Sequence, residues 1–348
     1  MTPVELSRTV LHAVRRAVDD GELSVTVPER AVVTPPGPGG CGDYATTIAL
    51  QLSRPAGQPP HRVAEILRPR LAGLDGIADV VVTGPGFLNI SLRDAVPVAV
   101  VRQILREGTR YGHADGSTGQ VVQLRCPREV RAVVVMDAVA RILRSQGACV
   151  RTSCAAPPAP EWETVLGARL DASGRPGPTA AEVAVRPVPA PADPLPLGRD
   201  AGRWALLYPA AHDRPRITED HLVQRESNPL FRVRYAYART RALSRNASDL
   251  GFRAEPGAPQ AVVHGLDALL ADHPRVLAHA AAHRAPDRLA RHLVDVADAV
   301  LPLLPAVLPV GEEKPSAAHR ARLALAEAAG TVLAGGLSLL GIDAPDHL

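Results

Sequence analysis

The chain has 348 residues, 46% of them apolar and 22% charged, which suits a globular protein of two or three domains with more than one buried core. A formal charge of +3 does not mark a nucleic-acid binder until it is located along the sequence. Of the 39 basic residues only Lys314 is a lysine, so chemistry that needs two lysines in one motif is excluded, and 28 glycines with 34 prolines require turn-rich segments.

From the N-terminus, residues 4–18 set Glu5, Arg8, Arg15 and Arg16 within an apolar helical period, the pattern of an amphipathic helix rather than a signal peptide. Helix signals follow at 43–52 and 63–74. Strand signals cover 80–83 and 87–92, with Gly84, Pro85 and Gly86 making the turn between them. Residues 1–115 therefore read as one domain with an antiparallel element. A strand at 120–125, a helix at 128–145 with Val134, Ala138, Ile142 and Leu143 near one side, and a strand at 148–153 form a βαβ unit, hence a parallel pair. Ten prolines between 155 and 200 bar a long helix and leave room for a short one at 161–170 and a strand at 181–186. Beyond 200 the spacing predicts helices at 200–208, 228–248, 262–271, 274–283, 287–301 and 317–340, an α bundle. The most apolar run, 300–310, holds Pro302, Pro305 and Pro309 and is too short to span a bilayer, so a cytoplasmic protein with no membrane partner is expected.

The cysteines, Cys41, Cys126, Cys149 and Cys154, form no CxxC pair, and reduced thiols are expected rather than a zinc site or a disulfide frame. His279 and His283 stand one helical turn apart, but only alanines separate them and no general base lies between. There is no phosphate-cradling loop, and neither a metal nor a cofactor is expected.

Gly84 and Gly86 permit a tight turn, Pro85 stiffens it, and the strand that follows puts Phe87 and Asn89 on one face. A ring beside an amide suits the stacking of a splayed nucleobase and the reading of its edge; the plain alternative is that Phe87 belongs to the core. Asn228 and Pro229 make a good helix start, and the helix then carries Arg232, Arg234, Arg239, Arg241 and Arg245. At about 100° per residue, Arg234, Arg241 and Arg245 cluster on one side and Arg232 and Arg239 lie roughly opposite. Residues 228–260 hold six arginines against Asp249 and Glu255, a local +4 that favours phosphate contact. A solvated charged helix is the alternative.

Several of these blocks resemble the arginyl-tRNA synthetases. Gly42-Asp43-Tyr44-Ala45 and Gly84-Pro85-Gly86-Phe87-Leu88-Asn89-Ile90-Ser91-Leu92 look like the signatures of that family's additional N-terminal domain. Asp200-Ala201-Gly202-Arg203-Trp204 and the run from Asn228-Pro229-Leu230-Phe231 to Arg239 are similar to the entry into its DALR-type anticodon-binding domain, and Arg322 to Ile342 with Ala344-Pro345 to its C-terminal helix and tail. The resemblance implies an α+β protein: an N-terminal α/β domain at 1–115, a vestigial Rossmann-like βαβ platform with a proline-rich linker at 116–199, and an all-α anticodon-binding bundle at 200–348. It implies tRNA contact through Phe87 and Asn89, where the family grips the D-loop, and through Arg234, Tyr235, Arg239, Arg241 and Arg245.

The departures from the family fall on its chemistry. Class I synthetases stabilise ATP phosphates with a His-x-Gly-His turn and a Lys-Met-Ser-Lys-Ser loop, which is electrostatic work. Here the first βα unit is followed at that position by Arg128-Glu129-Val130-Arg131, no histidine occurs between His113 and His212, and the single lysine cannot supply the second signature. Most of the catalytic domain is replaced by the proline-rich linker. A planar guanidinium is a poor stand-in for a mobile ammonium. The expectation is a truncated, non-catalytic paralogue that binds tRNA, with an arginine tRNA as the expected partner. The alternative is a protein-interaction or regulatory partner of a full-length synthetase, and a third, transfer from aminoacyl-tRNA, has no visible catalytic residues. Arg232 and Arg234 stand where the family has an aromatic residue and a glutamine, which puts the parent's anticodon preference in doubt.

Overall fold

The computed structural model describes residues 3–34, 36–37, 40–74, 76–92, 96–173, 182–257 and 265–348. These fall into two compact units, Met1–Val100 and Val101–Leu348.

The first unit contains α1 (Pro3–Asp19), β1 (Val33–Thr34), β2 (Tyr44–Thr46), α2 (Ile48–Ala56), α3 (Pro60–Ala72), β3 (Ile77–Thr83) and β4 (Phe87–Leu92). Its antiparallel sheet runs β1-β2-β4-β3. The apolar stripe of α1, with Leu6, Val10 and Val14, meets Leu67 and Leu71 of α3 and Leu88 and Ile90 of β4 in one core. The helix expected from 43 begins instead at Ile48. Tyr44 and Thr46 are taken into the sheet opposite Ile90 and Leu88, because a buried ladder partner outweighs the helical pattern of a three-residue segment. α4 (Val96–Glu107) then leads into the second unit.

In that unit β5 (Val121–Cys126), α5 (Val130–Ser145) and β6 (Cys149–Cys154) are the expected βαβ, and two short strands extend it. With α6 (Pro160–Thr164), β7 (Ala172–Ser173) and β8 (Glu182–Ala184), the order is β7-β6-β5-β8, all parallel. Ala181, the first residue of the expected last strand, lies outside the described residues. α5 is not amphipathic but buried on all sides from Arg131 to Ala140, since helices of the bundle cover the face that the sheet leaves open.

The bundle consists of α7 (Gly198–Leu207), α8 (Pro229–Asp249), α9 (Leu266–His283), α10 (Pro286–Val300) and α11 (Ala317–Leu340). The two helices expected at 262–271 and 274–283 are one, α9, with Pro274 inside it, and 262–264 lie outside the described residues. Leu270, Ala271, His273 and Leu277 flank the proline on a single buried face, whose packing offsets the lost hydrogen bond. α11 is long and apolar enough to cross a membrane by length and composition, yet 72% of its apolar window is buried in the bundle, as befits a core helix.

Candidate nucleic-acid interface

The β3–β4 turn is built for one conformation. Gly86 has φ +139°, and a Cβ there would stand 2.8 Å from the backbone of Pro60, so only glycine fits. The turn delivers Phe87 to the surface, 37% exposed, whereas Asn89, two residues along, is only 2% exposed. The Asn89 amide donates to Thr83 Oγ1 at 2.7 Å and to the Val81 carbonyl at 3.4 Å, and its Oδ1 accepts from the Cys41 N–H at 3.4 Å. Its hydrogen-bonding capacity is spent on tying β4 to the turn and to the loop before β2. The ring and the amide share a strand face, but the surface receives the ring alone.

In α8, Asn228 caps the helix by accepting from the Leu230 N–H, while its amide donates to the carbonyls of His221 and Val223. Phe231 and Tyr235 then stack at 5.5 Å, and the Arg239 guanidinium lies 6.0 Å from the Tyr235 ring. This i, i+4, i+8 column of ring, ring and cation runs along one side of the helix, with Tyr235 38% exposed. Phe231 was missed by a reading that followed charge; its spacing to Tyr235 and Arg239 is the signal that finds it.

The other arginines of α8 do not form the expected cluster of three. Arg232 holds Asp298 of α10 with both carboxylate oxygens at 2.7 and 2.8 Å, and Arg234 turns to Asp200 of α7 at 3.5 Å. Arg241 and Arg245 do converge, on the tail: Arg241 donates to the Asp346 carboxylate at 3.1 Å and Arg245 to the Asp346 carbonyl at 3.4 Å. The Tyr237 hydroxyl donates to the same carboxylate at 3.0 Å. These hydrogen bonds, from Arg241 first and Tyr237 next, hold the Asp346 carboxyl below its ordinary range. Asp346 thus sits on the basic face of α8 as a phosphate would. Arg239 is the one arginine of α8 paired with neither an acid nor the tail among the described residues.

The turn Arg128-Glu129-Val130-Arg131 is closed by the chain's own groups. Glu129 caps α5, accepting from the N–H groups of Arg131 and Ala132 at 3.1 and 2.8 Å and from that of Ala190 at 3.2 Å. A carboxylate therefore fills the helix terminus that would attract a phosphate. Arg131 is wholly buried, and its five N–H donors meet five carbonyls, those of Val188, Leu206, Pro209, Ala210 and Asp213, at 2.7–3.1 Å. Nearby, Arg203 is equally buried. It pairs with Asp137 of α5 at 2.6 Å and donates to the carbonyls of Leu166 and Leu340, pinning the platform to the end of α11. Gly341, at φ +72°, ends α11 where any Cβ would strike that guanidinium. Sequence reasoning missed Glu129, Arg131 and Arg203 as structural groups; a charge within an apolar helix run was the available sign.

Comparison with known proteins gives two family matches. Residues 5–92 match the arginyl tRNA synthetase N terminal domain and residues 233–348 the DALR anticodon binding domain. Arginine–tRNA ligase of Frankia alni is 41% identical over 157 residues, covering 42% of this chain and 28% of the relative. The same enzyme of Renibacterium salmoninarum is 32% identical over 266 residues, covering 72% and 45%. The chain spans less than half the length of these curated relatives. Among solved structures, arginyl-tRNA synthetase of Thermus thermophilus superimposes with a TM-score of 0.69 at 16% identity over 100% of both chains. That of Plasmodium falciparum gives 0.70 at 9% over 99% of both, and at such identities the likeness is one of fold.

Proposed function

Because the chain carries the N-terminal domain and the DALR anticodon-binding domain of the arginyl-tRNA synthetases, we propose that it binds tRNA, an arginine tRNA by preference, without aminoacylating it. The observation that carries this reading is the Phe231–Tyr235–Arg239 column on α8, half-buried at Phe231 and exposed at Tyr235 and Arg239, a surface on which unpaired bases stack and a phosphate finds a cation. Phe87 provides a second stacking ring, in the N-terminal unit, with Asn89 holding its turn. Arg241 and Arg245 become available to phosphate when Asp346 leaves them, and Arg234 stands nearer the start of the same helix. The absence of catalysis is supported by Glu129 and Arg131, which fill with the chain's own groups the place where the family's first signature would meet ATP.

The test is a gel-shift titration of total tRNA at low salt, with Tyr235→Ala and Arg239→Ala as variants. Each is expected to weaken binding by about tenfold, the worth of one stacked base or one charge-assisted contact. Unchanged affinity in both variants overturns the interface. Charged tRNA after incubation with ATP, arginine and tRNA overturns the non-catalytic part.

One observation favours the second reading, a partner of a full-length synthetase. Three arginines of α8 already have carboxylate partners in Asp298, Asp200 and Asp346, so much of the positive field that would draw RNA is neutralised within the fold. Co-purification of a synthetase in ribonuclease-treated extract, with no tRNA shift by the isolated protein, would select it.

A further inference from the structure

A cavity of about 390 Å³ lies between α7, the loop after it, the start of α8 and α10. Its volume is in the ~300–1,000 Å³ range of small-ligand sites. The floor is aromatic: Tyr208, half-buried, is backed by Trp204 at 5.2 Å with the rings nearly parallel. The walls are Pro209 and Pro229. Around the rim stand Arg214, Arg216 and Arg291, all exposed, against one acid, Asp213. Arg291 has only a long contact, 3.5 Å, with Asp287, and no ion pair engages Arg214 or Arg216 among the described residues. The indole N–H of Trp204, wholly buried in the floor, has no acceptor among the described residues. Such a donor ordinarily finds a partner.

We infer that this cavity is a 5′-nucleotide site, with a base stacked on Tyr208 and the phosphate held by Arg214 and Arg216. A flat ring system matches the aromatic floor, and a phosphate matches a rim that carries Arg214 and Arg216 and a net positive charge. Arg131 braces its wall. The carbonyls of Leu206, Pro209, Ala210 and Asp213, which Arg131 gathers, belong to the same segment that forms the cavity wall. A residue at the degenerate signature thus braces a different site, through the segment that its guanidinium holds. The nucleotide comes either free or as one residue of an RNA strand, since Pro229 places the cavity at the start of the helix that carries the stacking column.

Trp162 and Trp204 are the only tryptophans, so Trp162→Phe in the full chain leaves Trp204 as the sole fluorescent reporter. That variant is titrated with guanosine and adenosine 5′-monophosphates, with the corresponding nucleosides, with inorganic phosphate, and with a short unstructured oligoribonucleotide. Saturable quenching by a mononucleotide identifies a free nucleotide, and saturation by the oligonucleotide alone identifies an RNA residue; both support the site. Adding Arg214→Ala and Arg216→Ala, which are exposed and leave the thermal midpoint unchanged, is expected to weaken the bound species at least about tenfold while nucleoside binding stays the same. The inference is overturned if neither nucleotide nor oligonucleotide saturates the signal, if inorganic phosphate binds as tightly as the nucleotide, or if the arginine variants bind as well as the parent. Nucleotide binding here and tRNA binding on α8 are separable, because Tyr235→Ala leaves the cavity intact and Arg214→Ala leaves the stacking column intact.

Discussion

Replacing Arg131 with Met keeps the buried volume and removes every donor, so it measures what the guanidinium holds together. Five charge-assisted hydrogen bonds at about 1.5–3 kcal/mol each would sum to far more than one residue can deliver, because they share a single group and the charge itself costs desolvation. Burial lowers the Arg131 pKa, the sign of that cost, with Glu129 the largest opposing influence. The loss is better counted from what is left behind. The bonds to Leu206 and Ala210 are fully buried, whereas those to Val188, Pro209 and Asp213 are partly open to water. Two orphaned buried carbonyls at about 1–3 kcal/mol each, with partial rehydration of the other three, give a loss of roughly 4 kcal/mol. In a unit of this size that is a fall in Tm of roughly 8–16 °C. Differential scanning calorimetry on the full chain, following the transition of the larger unit, measures it. Arg131→Lys retains the charge but offers three donors from one point, and is expected to recover less than half of the loss. A loss below about 1 kcal/mol for Arg131→Met would refute the view that one guanidinium fastens the 185–213 segment to α5.

Asp346→Ala should free Arg241 and Arg245, tightening RNA binding several-fold and steepening its dependence on salt by roughly one phosphate contact, seen as log K against log salt concentration; weaker binding would mean that the tail organises the interface rather than covering it. Acid should loosen the bundle through its buried imidazoles. His273 and His292 stack at 5.2 Å, and burial holds His292 at a pKa of about 4 and His273 well below its ordinary value, so the folded state keeps both neutral while the unfolded chain protonates near pH 6.5. The unfolded state therefore binds more protons below that pH. Stability is complete above about pH 7 and falls by up to about 1.4 kcal/mol per pH unit per imidazole between about pH 6.5 and pH 4. His292→Asn should flatten the profile of urea midpoints over that window, and an unchanged slope would rule the imidazole out as its cause.

What was legible in the sequence followed from how local each signal is. α1, β4, α8 and α11 are long, periodic or capped, and their ends lie within about two residues of where the pattern puts them. β2 was not legible because three residues carry no period, and it exists only because β4 offers a partner. α9 was divided at Pro274 because the sequence records the missing N–H but not the buried face that spans it. The site divides in the same way. Residue types in α8 were visible, but which arginine meets which acid depends on Asp200, Asp298 and Asp346, 34 to 105 residues away along the chain. Asn89 read as a surface amide because alternation assigns a side of the sheet, not a depth beneath it.

That redistribution changes the meaning of the local +4. Counted along residues 228–260, the charge suggests electrostatic capture with many phosphate contacts. Counted in the fold, Arg232, Arg234 and Arg241 each have a carboxylate within 3.5 Å, and Arg245 is occupied by the tail, so the outward cation on the stacking column is Arg239. On the proposed α8 interface, stacking on Phe231 and Tyr235 is then expected to dominate, with charge in a supporting role. Stacking tolerates salt, and phosphate contact does not. A single-stranded loop bound by α8 alone should accordingly show a slope of log K against log salt near −1, set by Arg239, rather than the −3 or so that four free cations would produce. Displacing the tail steepens that slope by roughly one phosphate contact, which makes Asp346 the group expected to set how strongly ionic strength governs this surface.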